Sequence, residues 1–422
     1  MSATAATRAV PPPTPGAAPH GDADRRGRDA LPLPGGDAPT AGTGSAGPGT
    51  TAAYAGRRED RSDDAPGDAV ARVTLQTVAD RVGVSRMTVS NAFSRPNQLS
   101  AALREKILAA ADELGYVGPD PAARALARGS SGAVGVLFTD SVGTAFRDPV
   151  AAAFFGALAE GLSEHGVAIT LLPESKSTQH VAARDVAMDA ALVYACPPHA
   201  SAVQWLVRRR LPLVYVDQDP PEGVSSVLLD EEAGGRLAAE HVLALGHRRV
   251  ALFTTNWARG GSGWADDPAT AGVGVVARGR VDGAYAALSA AGAEVSAYEV
   301  YDNDERFVPD AARDLLAGDE PPTAVLCFSD LMAAAVIQAA ADRGLRVPDD
   351  LSVVGFDDSV LARTTEPPLT TVRQDFDAKG RLASAALLAA IEHVRAGQPV
   401  EPTHARIPVE LVVRESTGPA PS

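Results

Sequence analysis

Hydrophobic and polar positions keep three different rhythms along the 422 residues. Up to about residue 70 there is almost no periodic apolar pattern. From Val73 to Arg128 apolar residues return at helical spacing, in short blocks. From Ala133 onward they gather into short, nearly continuous runs: AVGVLF (133–138), ALVYA (191–195), LPLVYVD (211–217), RVALFT (249–254), TAVLCF (323–328) and LSVVGFD (351–357). Pro, Gly or Asp bounds each run, and helical stretches separate most of them. Strands covered on both faces look like this, because neither side needs polar residues. Alternating strands and helices over some 280 residues predict open α/β sheets, and that length predicts two lobes with a cleft between them.

The middle block, VTLQTVADRVGVSRMTVSNAF (73–93), is more specific. Thr74 is placed to cap a helix from Leu75 to about Val82, with Leu75, Val78, Ala79 and Val82 on one face. Gly83 suits a tight turn needing positive φ. Ser85 caps a second helix from Arg86 to about Phe93. Ser100 caps a third, with Leu103, Ile107, Ala110, Ala111 and Leu114 inward and Gly115 at its end. Helix, tight turn, helix and a supporting third helix form a helix-turn-helix headpiece, whose second helix enters the DNA major groove. That helix would expose Arg86, Met87, Thr88, Ser90 and Asn91. These offer a guanine reader, an apolar surface for a thymine methyl, two short hydroxyls for phosphate and an amide for adenine.

Composition sharpens this picture. Residues 1–70 hold ten of the 32 prolines and neither Ile nor Phe. They are expected to stay disordered, since such a segment buries too little to offset the entropy of ordering. The net charge of −15 argues against non-specific polyanion binding until it is divided by segment. Ala71 to Arg128 carries eight Arg/Lys against five Asp/Glu, so +3 belongs to the headpiece and −18 to everything else. Two distant cysteines, Cys196 and Cys327, predict neither a disulfide scaffold nor a metal cluster. No run nears the roughly 18 apolar residues of a membrane helix, and MSATAATRAVPPPTPGAAPH lacks the apolar core of a secretion signal. A cytoplasmic, nucleoid-associated protein without cofactor or metal is expected.

VTLQTVADRVGVSRMTVSNAF, LSAALREKILAAADELGYV and PAARALARGSSGAVGVL resemble the N-terminus of the lactose/galactose repressor (LacI/GalR) family of bacterial transcriptional regulators. The likeness continues through EHVLALGHRRVALFT (240–254), RVDGAYAAL (280–288), AVLCFSDLMAAAVIQAAADRGLRVPDDLSVVGFDDS (324–359) and PPLTTVRQDF (367–376), about 350 residues in all. It implies base readers at Arg86, Met87 and Asn91, which differ from the Tyr-Gln-Arg set of the best-known member. It implies a hinge helix in PAARAL whose Leu126, beside Ala123, wedges into the minor groove. The approach GYVGPDPAARAL is one residue longer than the family's Tyr-x-Pro-x spacing. The expected DNA-contacting set is thus Thr74, Ser85, Arg86, Met87, Thr88, Ser90, Asn91, Ser94, Ala123 and Leu126.

The resemblance also implies a two-lobed periplasmic-binding-protein-like effector domain with three crossovers between the lobes. Ligands of such sheets bind beyond the carboxyl ends of the strands. The polar residues ending the apolar runs are therefore candidates: Asp140, Ser329, Asp330 and Asp357, with Arg280 opening a helix. Family matching adds Phe146 as an aromatic packing on the effector. A guanidinium and carboxylates suit the paired hydroxyls of a sugar. Asp330 has a second reading, as N-cap of a helix Leu331–Arg343. The loop TTNWARGGSGWADDPATAGVGVVA (254–277) is longer than usual for the family. Its Trp257 and Trp264 form either a platform over a sugar ring or a surface excursion.

The expected layout is an extension (1–70), a headpiece (71–118), a hinge helix (119–131), an effector-binding and dimerisation domain (132–416) and a disordered tail (417–422). The expected function is a repressor that binds a palindromic operator as a homodimer and responds to a carbohydrate effector. An activator of the same family and a plain solute-binding protein are the alternatives. Nucleophile elbow, Walker loop, GxGxxG after a strand and HExxH are all absent from the sequence, so no enzyme is expected.

Overall fold

The computed structural model describes residues 73–138, 146–173, 180–196, 200–318 and 320–421. The expected disordered extension and Asp140 lie outside them. No helix among the described residues is long and apolar enough to cross a membrane.

The headpiece consists of α1 (Leu75–Val82), α2 (Arg86–Ser94) and α3 (Ala101–Glu113), followed by α4 (Pro121–Arg128). Val78, Ala79, Val89, Ala92, Ile107 and Ala111 form its small core. The two lobes follow. Lobe 1 is an all-parallel six-stranded sheet in the order β12-β5-β4-β3-β1-β2. Its strands are β1 (Ala133–Phe138), β2 (Ala168–Pro173), β3 (Ala190–Tyr194), β4 (Leu213–Val216), β5 (Ser225–Leu229) and β12 (His404–Ile407). Helices α5 (Pro149–Ser163), α6 (Ala182–Asp185), α7 (Ser201–Arg208) and α13 (Phe376–Arg395) cover it.

Lobe 2 is a seven-stranded sheet in the order β13-β11-β10-β9-β6-β8-β7, parallel except for its two edge strands. The strands are β6 (Arg249–Thr255), β7 (Gly263–Trp264), β8 (Glu294–Val300), β9 (Ala324–Cys327), β10 (Ser352–Asp357), β11 (Thr370–Arg373) and β13 (Glu410–Val412). Its helices are α8 (Glu231–Ala244), α9 (Val275–Ala290), α10 (Val308–Leu315), α11 (Asp330–Asp342) and α12 (Val360–Thr364). The chain crosses between lobes three times: after Leu229, after Arg373 and after Ile407.

Every long apolar run of the sequence became a buried strand, for the reason given above: helices cover both faces of each sheet. Within lobe 2, α8 and α9 touch backbone to backbone. A Cβ at Gly235 would lie 2.0 Å from the Arg280 carbonyl oxygen, and one at Gly283 would lie 1.9 Å from that of Glu232. Only glycine permits that approach, and it brings Glu231 within reach of Arg280.

Residues 417–421 correct the expectation of a disordered tail. The Thr417 hydroxyl bonds His241 Nε2 (2.9 Å) and Thr370 Oγ1 (3.0 Å), the Gly418 amide donates to Ser352 Oγ (3.0 Å), and the Ala420 amide donates to the Leu245 carbonyl (2.9 Å). The buried His247 ring bonds the Thr323 and Ser352 hydroxyls, and its Nε2 lies 3.1 Å from the Gly418 carbonyl, which can only accept. A Gly/Pro-rich composition signalled disorder, but buried polar partners fix this segment without any apolar periodicity.

Candidate functional site

Two surfaces carry the polar groups that the fold does not need for itself. The first is on the headpiece. Thr74 accepts from the Thr77 amide while the Thr77 hydroxyl accepts from the Thr74 amide, a reciprocal cap that starts α1. Gly83 closes α1 with φ 79°, and Ser85 caps α2 by accepting from the Thr88 amide at 3.1 Å. Val89 and Ala92 face the core, which turns the opposite side of α2 outward. Arg86 and Met87 are exposed there, Met87 by 68%. Thr88, Ser90 and Asn91 are half-buried beside them. Ser94 donates to the Ser90 carbonyl at 2.8 Å, so its proton is committed to the helix end.

Helix α4 has an N-cap in Asp120, which accepts from the amides of Ala122 (2.8 Å) and Ala123 (3.2 Å), and proline at its first position. Gly129 ends it with φ 67°. No residue of α4 is buried, and Leu126 is 86% exposed with Ala123 exposed on the same helix. A leucine held out in this way does little packing against the described residues.

The second surface lies between the lobes, where strands of both sheets end. The backbone is strained there: Ala195 after β3, Asp217 after β4, and Asp357 and Asp358 at the end of β10 all have positive φ, from 46° to 116°. Such non-glycine positions cost on the order of 1–3 kcal/mol each and persist where surroundings over-determine them. The side chains of Asp217 and Asp357 join a buried polar chain. The Lys379 ammonium, only 1% exposed, donates to both Asp217 oxygens at 3.0 and 2.9 Å and to Gln374 Oε1 at 2.8 Å. Gln374 Nε2 donates to Asp357 Oδ1 at 2.7 Å. Arg280 Nη1 lies 3.7 Å from the same oxygen, while its Nε donates to Glu231 Oε2 at 2.6 Å.

Arg280 also donates to the Phe328 carbonyl, and its guanidinium lies over the Phe356 ring at 3.5 Å and the Phe328 ring at 4.6 Å. Burial alone would lower its pKa, but the Glu231 and Asp357 carboxylates more than offset that and hold the charge. Burial pushes the Asp357 carboxyl well above the usual carboxylate range despite the opposing pull of Arg280. Asp148, the N-cap of α5, is raised by burial too, though its bonds from Val150 and Ala151 amides oppose the shift. Tyr194 closes the wall, its phenol raised well above its usual value by burial and then by Asp217. Phe146, 54% exposed, extends this wall through Phe155, 6.4 Å away, which meets Tyr194 at 5.4 Å.

Of the residues named from sequence, Arg280, Asp357, Ser329 and Phe146 come to this cleft. Ser329, and not Asp330, caps α11: its hydroxyl accepts from the Met332 amide and donates to Asn303 Oδ1 at 2.7 Å. Asp330, 1% exposed, has both oxygens engaged, one by the Ser359 amide (2.7 Å) and one by the Thr371 hydroxyl (2.5 Å). Burial lifts its pKa to about 6. Asp358 is buried but held below the usual range by Arg414 and Arg373, so it is a structural counter-ion.

Sequence reasoning missed Asp217, Tyr194, Gln374, Lys379, Asp148 and Glu231. Asp217 was findable, since it ends the run LPLVYVD by the same rule that selected Asp357. Lys379 gave no signal, because a lysine in the first turn of a long helix reads as solvated. The long loop is the surface excursion. Trp264 lies on edge strand β7 with its ring 5.2 Å from Tyr298, and buried Glu299 ties Asn256, Arg259 and the Gly272 amide together.

Residues 74–118 match the family described as bacterial regulatory proteins, lacI family, and residues 239–417 match the periplasmic binding protein-like domain. An HTH-type transcriptional regulator of Mycolicibacterium smegmatis is 37% identical over 331 residues, covering 74% of this chain and 89% of the relative. A solved CelR–cellobiose complex is 30% identical with TM-score 0.56, covering 82% of this chain and all of that one. The lac repressor dimer bound to operator and the anti-inducer ONPF is 27% identical with TM-score 0.65, over 82% of this chain and 99% of that one.

Proposed function

Because the chain belongs to the LacI family of bacterial regulatory proteins, and so is a DNA-binding transcriptional regulator, we propose that it represses by binding a palindromic operator as a homodimer and is switched by a sugar in the interlobe cleft. In this reading α2 enters the major groove. Arg86 and Met87 reach base edges first, Asn91 reads beside them, and the hydroxyls of Thr88 and Ser90 meet phosphates together with the capped helix starts at Thr74 and Ser85. Leu126 is the minor-groove wedge, with Ala123 keeping the helix slim enough to fit. Two headpieces are needed, since one offers too small an interface for operator affinity.

The observation that carries the sensing role is the buried polar chain from Asp217 to Glu231, which has donors and acceptors from both lobes at the ends of their strands. Hydroxyls entering there can donate to Asp217 or Asp357 and accept from Lys379 or Arg280. Ser329 and Phe146 border the same space, and Asp330 supports it from within lobe 2. Complexes of relatives with cellobiose or with ONPF at the same architecture support a sugar as the class. Ligand that prefers one lobe arrangement shifts the population of headpiece placements by its differential affinity. A solute-binding protein would have no use for a headpiece with an exposed Met87 and Leu126.

The test is selection of operator DNA from a random pool, followed by binding assays with and without sugars. A palindromic consensus bound at two chains per site, and released on sugar addition, is the expected result. Recovery of no consensus would overturn the regulator's assigned readers; strengthened binding with sugar would make it a co-repressed system.

A further inference from the structure

The reading of the cleft as a sugar site leaves open which charge class of sugar it takes, and the cleft's own ion pairs bear on that. Two buried cations face it, Arg280 and Lys379. Each is already neutralised from within: Arg280 by Glu231 at 2.6 Å with Asp357 at 3.7 Å, and Lys379 by both oxygens of Asp217. Asp148 adds a fourth carboxyl group within electrostatic reach of Asp357 and Tyr194. At the rim, Arg147 and Arg306 both act on Asp304, with Arg306 Nε 2.7 Å from Asp304 Oδ1. Lys379 does not relieve this balance, because its remaining donor goes to Gln374.

We propose that the cleft selects an uncharged polyhydroxylated effector and rejects its phosphorylated or acidic counterparts, with the Asp217–Lys379 and Glu231–Arg280 pairs as the source of that choice. This rests on the cleft being the effector site. A neutral sugar inserts its hydroxyls into existing pairs, donating to carboxylates that keep their counter-ions. Among the described residues both buried cations of the cleft are already paired, so a phosphate or carboxylate has to compete with Glu231 and Asp217 for them in a poorly solvated space, where like charges repel strongly. The expected discrimination is on the order of 100-fold in affinity, the factor that separates a satisfied neutral group from a misplaced charge.

The test uses the full chain and matched probes in thermal shift and titration calorimetry. Glucose, cellobiose, trehalose and a panel of pentoses and polyols are each set against a phosphate or acid counterpart, such as glucose 6-phosphate, cellobionate and trehalose 6-phosphate. An uncharged member that raises the midpoint while its charged partner does not is the expected outcome. A charged partner binding as tightly overturns the proposal and leaves the sugar reading intact. No shift with any member of the panel, in protein that still binds its operator, overturns the sugar reading and the proposal with it. In Asp217→Asn, which strips Lys379 of its carboxylate, discrimination should fall at least tenfold; should that variant not fold, Glu231→Gln makes the same change at Arg280. Unchanged discrimination in the folded variant would remove the ion pairs as its cause.

Discussion

Replacing Lys379 by methionine is the sharpest test of the buried chain, because the side chain keeps its length and loses only its charge and donors. The ammonium is 1% exposed and serves Asp217 and Gln374 at 2.8–3.0 Å. Without it the Asp217 carboxylate, 9% exposed, stays buried with no counter-ion. Breaking a buried pair from one side costs about 3–5 kcal/mol, and the orphaned Gln374 oxygen adds about 1 kcal/mol. Against a typical stability of roughly 5–15 kcal/mol the variant should fold but unfold at distinctly lower urea. Asp217→Leu alone leaves Lys379 unpaired and should cost a similar amount. Joined in one chain, the two substitutions leave an apolar contact, so their combined effect should fall short of the sum by about 2 kcal/mol or more. Urea unfolding of all four proteins, followed by tryptophan fluorescence and circular dichroism, closes the cycle. A single-variant cost under about 1 kcal/mol, or additivity within about 0.5 kcal/mol, would refute the claim that this pair is buried and mutually dependent.

Arg86→Ala should weaken operator binding by about 1–3 kcal/mol and relax preference at one base position, which selection from randomised sites would reveal; an equal loss on random DNA would remove Arg86 from the readers. Leu126→Ala should lower operator affinity and DNA bending while leaving stability within about 0.5 kcal/mol, since the side chain is 86% exposed. Unaltered bending in a gel-shift phasing assay would remove the wedge. Asp330, with its pKa lifted to about 6, binds a proton more tightly folded than unfolded. Its contribution is therefore fully favourable below about pH 4 and is lost as pH rises through about 6, by about 3 kcal/mol at most. Asp330→Asn should flatten stability over that window in denaturation series at several pH values, and an unchanged slope would place the titration elsewhere.

The fold was legible because its grammar is local. Helix caps at Thr74, Ser85 and Ser100 sit at their expected positions, and each apolar run became a strand. Asp357 was visible because strand ends place polar groups at the cleft, whereas Arg280, expected to open a helix, sits in the second turn of α9, which begins at Val275. The rest of the cleft was not, because its geometry is non-local: Asp217 and Lys379 are 162 residues apart, and Glu231 and Arg280 are 49 apart. Nothing in the sequence near Lys379 states that its helix will bring it beneath β4. The tail failed for the same reason, since His241, His247 and Ser352 hold it from three separate elements.

The glycine contact between α8 and α9 limits how lobe 2 can move. At Gly235 and Gly283 an added Cβ would fall 2.0 and 1.9 Å from a carbonyl oxygen of the facing helix, so the two helices are seated against each other with no side chain between them. A seat this close favours α8 and α9 moving as one body, which places the flexible points of the lobe pair at the three crossovers. Arg280, Glu231 and Asp357 then travel together as one leaf of a gate, while Asp217 and Lys379 ride on the other. Among the described residues, the buried polar chain passes from one leaf to the other at the hydrogen bond from Lys379 to Gln374.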